Sequence, residues 1–215
     1  MKIMESNTFV EFALAREVLK FGQYTLKSGR VSPYFFNAGS FNQGSDFSRL
    51  GKFYADKLIQ SSITFDSLFG PAYKGIPLAT AVAISLYDQH KRSVSVTFNR
   101  KEAKTHGEAG KLIGAPLSGD VVIIDDVITA GTAIRESMDI ILEAGARPAA
   151  VIVALDRQEQ GPNGDSAIQE IEQAYKIPVL AIATLENLLD FTRKNKDLSE
   201  QLEQLTAYRQ TYGIK

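Results

Sequence analysis

The chain has 0 cysteines in its 215 residues. Disulfides, thiolate nucleophiles and zinc–thiolate sites are therefore excluded, and the fold must rest on its core alone. Histidine is almost as scarce: the 2 present, His90 and His106, are too few for a histidine-rich metal site. Charge of either sign is not in excess. A net charge of -1 argues against general nucleic-acid binding, which needs a basic surplus or patch, but leaves room for a local cationic pocket. No apolar run approaches the roughly 20 residues of a membrane span. The opening segment MKIMESNTFVEFALAREVLK is charged too early and too often for a signal peptide, so a cytoplasmic protein is expected. Repeats and low-complexity linkers are also missing, which leaves one large domain or a core with a small attachment.

What is present has the balance of a soluble globular protein, with 44% hydrophobic and 23% charged residues. Phe9, Phe12, Ala13 and Leu19 recur at close to a helical period, so a helix is expected over Thr8 to Lys20. In YTLKSGRVSPYFFNAG, two short apolar runs flank Lys27-Ser28-Gly29-Arg30, which reads as a β-hairpin. A helix follows from Asp46, its expected N-cap, to Ser61. Strands are then expected at Thr64–Phe69, Ser93–Phe98, Val121–Ile124, Ala149–Leu155 and Val179–Thr184. Helices are expected at Ile76–Asp88, Thr132–Ala144, Ala167–Tyr175 and Leu198–Tyr212. Near-continuous apolar strands separated by helices imply an α/β fold whose parallel sheet is covered on both faces. Asn99 to Pro116 lacks helical periodicity and reads as an exposed, mobile loop carrying Arg100, Lys101, Lys104, His106 and Lys111.

Ligands of open parallel sheets bind at the carboxyl ends of the strands. There the strand Val121–Ile124 delivers Asp125 and Asp126, followed by the small-residue turn Val127-Ile128-Thr129-Ala130-Gly131-Thr132-Ala133 and a helix. Small side chains let backbone N–H groups approach an anion, and the helix N-terminus favours negative charge. The hydroxyls of Thr129 and Thr132 can donate to phosphate oxygens. Two carboxylates would repel a phosphate at close range, so they suit sugar hydroxyls, with the phosphate further along the loop. That is the layout for a ribose 5-phosphate. A lone Asp-Thr-Gly is more often a capped helix, but the whole arrangement favours the ligand. It is neither a Walker loop, lacking Gly-Lys-Ser/Thr, nor a dinucleotide fingerprint, lacking three spaced glycines.

Other strand ends carry cations. In FGPAYKGIPLA, Tyr73 and Lys74 precede a helix start opened by Gly75, a place suited to an anion or simply to a surface lysine. The basic segment can close over a polyphosphate and exclude water, or can be a solvated charged loop. Arg157 after the strand Ala149–Leu155 can grip a carboxylate bidentately, or form a surface salt bridge.

Taken in order, LKSGRVSPYFFNAG, GPAYKGIPLA, NRKEAKTHGE and VVIIDDVITAGTA resemble the orotate phosphoribosyltransferases over nearly the full chain. The last motif alone resembles the wider type I phosphoribosyltransferases; the first and third together point to orotate. The resemblance implies a type I phosphoribosyltransferase fold in a single domain, residues 1–215. A hood would comprise about 1–45 plus C-terminal elements, over a core of about 46–185. It implies transfer of the 5-phosphoribosyl group of 5-phosphoribosyl diphosphate (PRPP) to N1 of orotate. By the same resemblance, Lys27, Phe35 and Phe36 border the orotate, and Thr129 and Arg157 contact it. Tyr73 and Lys74 bind the pyrophosphate group. Arg100, Lys101, Lys104 and His106 form a catalytic loop that reaches into the neighbouring subunit of a homodimer. Asp125 to Ala133 hold PRPP, and Mg²⁺ is held mainly by the diphosphate and ribose hydroxyls rather than by the protein.

These positions suggest roles. Lys74, Lys101, Lys104 and Mg²⁺ would stabilise the leaving diphosphate, and Asp125 and Asp126 would orient the ribose, Asp126 also facing the cationic ring. His106 would donate a proton or a hydrogen bond to the diphosphate. Three rivals remain: a purine phosphoribosyltransferase, opposed by the hairpin and loop motifs; a PRPP sensor, which should lack the loop's cations or carry a DNA-binding extension; and a phospho-acceptor domain, which needs a second acidic cluster.

Overall fold

The computed structural model describes residues 2–26, 28–104 and 110–214. A six-stranded sheet has the order β5-β4-β3-β6-β7-β8, built from β3 (Ser67–Gly70), β4 (Ser95–Lys104), β5 (Gly110–Gly114), β6 (Asp120–Ile124), β7 (Arg147–Asp156) and β8 (Val179–Thr184). Every neighbouring pair is parallel except β4 and β5. The sheet is thus mixed rather than wholly parallel. The antiparallel edge pair comes from the segment expected to be a loop: among its described residues, Asn99 pairs with Leu112 and Lys104 with Gly110, next to Thr97 with Gly114. The polar run Asn99 to Lys104 hid it, because it carries no apolar alternation, although Leu112 on β5 packs against the core.

Period-two alternation sorts β6 and β7 into two cores. Val122, Ile124, Ile152 and Ala154 pack with α2 (Gly44–Ser61), α3 (Gly75–His90) and α6 (Leu185–Lys194) on one side. Val121, Ile123, Val151 and Val153 pack with α4 (Thr132–Glu143) and α5 (Ala167–Tyr175) on the other. Each valine or isoleucine among them, fully buried, contributes about 1.5–3 kcal/mol to stability. Helix α6 has an amphipathic pattern that the sequence reading passed over; Thr184 caps it, accepting from the Asn187 N–H at 3.2 Å.

A separate two-stranded sheet, β1 (Leu19–Thr25) with β2 (Val31–Phe36), is the expected hairpin. It corrects the first helix. Helix α1 spans Lys2–Ala15, and Leu19 and Lys20 belong to β1, because pairing with Phe36 and Phe35 overrides their helical spacing. Asp46 is likewise not the N-cap of α2. Gln43 is, and the Asp46 carboxylate reaches back to the Gln43 N–H at 3.3 Å while pairing with Arg16 at 2.8 Å. The last helix, α7 (Ser199–Tyr212), packs against β2. No described helix is long and apolar enough to cross a membrane.

Candidate active site

Strands β3 and β6 are adjacent and parallel, so their carboxyl ends open side by side. The β3 end turns through Gly70-Pro71 into α3. A Cβ at Gly75 would lie 2.5 Å from Pro71 Cδ and 2.8 Å from the Ile124 carbonyl oxygen, so only glycine lets α3 start this close to β6. The side chain of Asn99 holds the turn, accepting from the Ala72 N–H at 2.7 Å. The Ala72–Tyr73 peptide is cis. The close approach at Gly75 and the Asn99 bond aim Lys74 across the gap, where its Nζ lies 2.6 Å from Asp126 Oδ2. Half of the Lys74 side chain (51%) stays exposed, so its ammonium can exchange that carboxylate for a ligand.

The β6 end is held more firmly. The Tyr54 hydroxyl donates to the Asp125 carbonyl at 2.8 Å from a fully buried position. The Asp125 Oδ1 accepts from the Asp126 N–H at 2.8 Å, and the Asp126 Oδ1 accepts from the Val127 N–H at 2.9 Å. Burial, and next the charge of Asp126, push the Asp125 carboxyl up from the usual aspartate range. Beyond the pair, Thr129, Ala130, Thr132 and Ala133 are exposed while Ile128 turns inward. Gly131, with φ 72°, makes the turn into α4, and no side chain caps that helix. Its N-terminal N–H groups and dipole therefore face an open loop. Above the Lys74 turn, Tyr73 is exposed and the Lys101 ammonium lies 5.0 Å from its ring centroid.

The other end of the site gathers side chains from distant segments. In β2, alternation separates the phenylalanines. Phe35 is 39% exposed and stacks on Tyr24 at 5.2 Å, whereas Phe36 is 8% exposed and packs on Phe9. The structure thus brings only Phe35 of the pair to the surface. Arg157 lies over the Tyr34 ring at 4.3 Å and donates from Nη2 to Ser32 Oγ at 3.0 Å. Its Nε and Nη2 both meet Glu159 Oε1, at 2.7 and 2.6 Å.

A phosphoribosyl transferase domain matches residues 37–179. The whole chain aligns with the orotate phosphoribosyltransferase of Thioalkalivibrio sulfidiphilus at 58% identity, covering 100% of each protein. The chain belongs to the orotate phosphoribosyltransferase family. Identity to the orotate phosphoribosyltransferase of Klebsiella pneumoniae strain 342 is 57%, over 96% of this chain and 97% of that one. The crystal structure of the Francisella tularensis orotate phosphoribosyltransferase superposes with a TM-score of 0.87 at 43% identity, over 96% and 99% of the two chains. The type I phosphoribosyltransferase fold is therefore established, and the chain is a phosphoribosyl-transferring enzyme.

Within this orotate phosphoribosyltransferase fold, Lys74, Asp125, Asp126 and the Val127–Ala133 loop converge on the β3/β6 mouth. Arg100 and Lys101 lie on β4 beyond it, and the backbone of Lys104 ends that strand. Lys27 and His106 lie outside the described residues. Three supporting residues escaped the sequence reading: Asn99, Tyr54 and Glu159. Only Glu159 left a signal, an opposite charge two positions from Arg157.

Proposed function

We propose that this chain is an orotate phosphoribosyltransferase of pyrimidine biosynthesis, acting as a cytoplasmic homodimer with shared sites. It would join orotate N1 to C1 of PRPP, giving orotidine 5′-phosphate and diphosphate. The observation that carries the reading is the pairing of Lys74 with Asp126 across the adjacent ends of β3 and β6. A leaving-group cation and a ribose-directed carboxylate then share one mouth, beside an uncapped helix start that suits the 5-phosphate.

In the reaction the C1–O bond breaks and its electron pair leaves on the diphosphate. The N1 pair forms the new bond to C1, and the N1 proton passes to diphosphate or water. Positive charge grows on the ribose as negative charge grows on the diphosphate. Asp126 and Asp125 orient the ribose hydroxyls, and Asp126 faces the developing cation. Lys74 exchanges Asp126 for the diphosphate, assisted by Lys101, Lys104 and Arg100, with His106 as proton or hydrogen-bond donor. Tyr73 flanks the same group. Thr129, Ala130, Gly131, Thr132 and Ala133 cradle the 5-phosphate. Lys27, Phe35, Phe36 and Arg157 bound the base, Phe35 by its exposed face and Phe36 by supporting it from the core.

Magnesium belongs to this reading as the partner of the diphosphate and ribose hydroxyls. The Lys74 ammonium at Asp126 indicates that this corner accepts positive charge beside hard oxygen donors. When bound, the ion neutralises charge on the leaving group; Asp125 and Asp126 would hold it through the ribose. The hood and core of the domain follow the same division, with the β1–β2 hairpin and α7 at the base end and the six-stranded sheet at the PRPP end.

The test is an assay with orotate and PRPP, with and without Mg²⁺, following loss of orotate absorbance. Magnesium-dependent orotate consumption is expected; no consumption under either condition would sink the reading. Sharing of sites is tested by mixing a Lys104→Ala subunit with an Asp126→Asn subunit. Partial recovery of activity is expected, and none would mean each subunit works alone.

A further inference from the structure

The Arg157 guanidinium is held on several sides at once. Glu159 Oε1 receives its Nε and Nη2, Ser32 receives Nη2, and the Tyr34 ring covers one face at 4.3 Å. The arginine side chain is only 12% exposed, so its donors cannot wander. Glu159 is in turn fixed from behind. Its Oε1 accepts from the Tyr208 hydroxyl at 2.9 Å, and its Oε2 lies 3.8 Å from Arg30 Nη1. Arg30 also donates to the Gln160 carbonyl at 2.8 Å and rests over the Tyr212 ring. Tyr208 sits edge-on to Tyr34, centroids 6.3 Å apart. The network joins the hairpin, the segment after β7 and the C-terminal helix α7.

We propose that Glu159 and Tyr208 are positioning residues for the base. Through them α7 fixes the guanidinium plane of Arg157 so that its remaining donor edge meets the carboxylate of the planar anionic substrate. This rests on the reading that Arg157 grips that carboxylate. Geometry and charge make opposite predictions, which makes the proposal sharp. Glu159 is an anion near an anionic ligand, so by charge alone its removal strengthens binding. If its work is to aim Arg157, removal weakens binding.

The experiment measures KM and kcat for orotate and PRPP with the full chain, comparing Arg157→Ala, Glu159→Gln, Tyr208→Phe and the Arg157→Ala/Glu159→Gln pair. Glu159→Gln should raise the orotate KM about tenfold and Tyr208→Phe about threefold, as expected for lost charged and neutral hydrogen bonds. The PRPP KM and the kcat should each stay within about twofold. Added to Arg157→Ala, Glu159→Gln should have no further effect, because it acts only through the arginine. A lower or unchanged orotate KM in Glu159→Gln, or its full effect persisting on top of Arg157→Ala, overturns the positioning role while leaving the grip intact. An unchanged orotate KM in Arg157→Ala overturns the grip and the inference together. Should Glu159→Gln not fold, Tyr208→Phe decides alone: an orotate KM equal to wild type refutes the role of α7.

Discussion

Between Asp125 and Ala133 a single stretch of chain supplies carboxylates, hydroxyls and a helix start to one end of the site. At the other end Ser32, Arg157, Glu159 and Tyr208 reach one another from positions 125 and 49 residues apart in the chain. The first end is built mainly from backbone: β6 fixes its direction, Gly131 its turn and α4 its dipole. The second is built from side chains, each relying on the next for its orientation. The first should therefore tolerate distant substitutions but fail chemically when a carboxylate or cation is removed. The second should pass on distant substitutions as losses of base binding, with the chemistry intact.

The largest effect should come from removing leaving-group charge. Lys104→Ala is expected to lower kcat by about 10²–10³ while changing the PRPP KM by far less, measured by steady-state kinetics. A turnover near wild type would remove the leaving-group role. Next, Asp126→Asn should cost about 10² in kcat/KM for PRPP and leave the orotate KM within about threefold. If orotate binding suffers equally, the two ends are not separable. At the base end, Arg157→Ala should raise the orotate KM by about 10–100-fold, the loss of a charge-assisted contact, with PRPP binding preserved.

The smallest expected effect is on stability. Burial, then the neighbouring Asp126, raise the folded-state pKa of Asp125 to about 7 from the ordinary aspartate value of about 4. Between those values the folded chain holds a proton that the unfolded chain has released, so stability falls as pH rises through this window. Asp125→Asn keeps the Oδ1 acceptor for the Asp126 N–H and removes the charge. It should therefore stabilise the protein by about 1–2 kcal/mol at pH 8 and by little at pH 4. Denaturant melts at the two pH values check this. Equal effects at both would mean that Asp125 is not held toward neutrality, and the expected activity loss would show the usual exchange of stability for function.

The same contrast explains what the sequence could reveal. VVIIDDVITAGTA was legible because an apolar strand, a carboxylate pair and a small-residue turn adjoin in the chain, and the structure sets them where strand ends open. Helix α5 and strand β8 were legible to the residue, since periodic patterns and flanking breakers bounded them. The β4–β5 pairing was not: Asn99 to Lys104 is a nearly unbroken polar run, so the strand continues past Phe98 without the apolar alternation that would announce it. The split of Phe35 from Phe36 follows from strand alternation and was available from the hairpin itself. The link from Tyr208 through Glu159 to Arg157 was not, because nothing in three separate polar residues specifies their meeting.

The most direct test offers the wild-type chain limiting PRPP with Mg²⁺ and equal amounts of orotate, uracil, adenine and hypoxanthine, and identifies the nucleotides by mass. Orotidine 5′-phosphate as the sole nucleotide, with one diphosphate released per molecule formed, is the expected result. A purine nucleotide, or no nucleotide at all, would contradict the account.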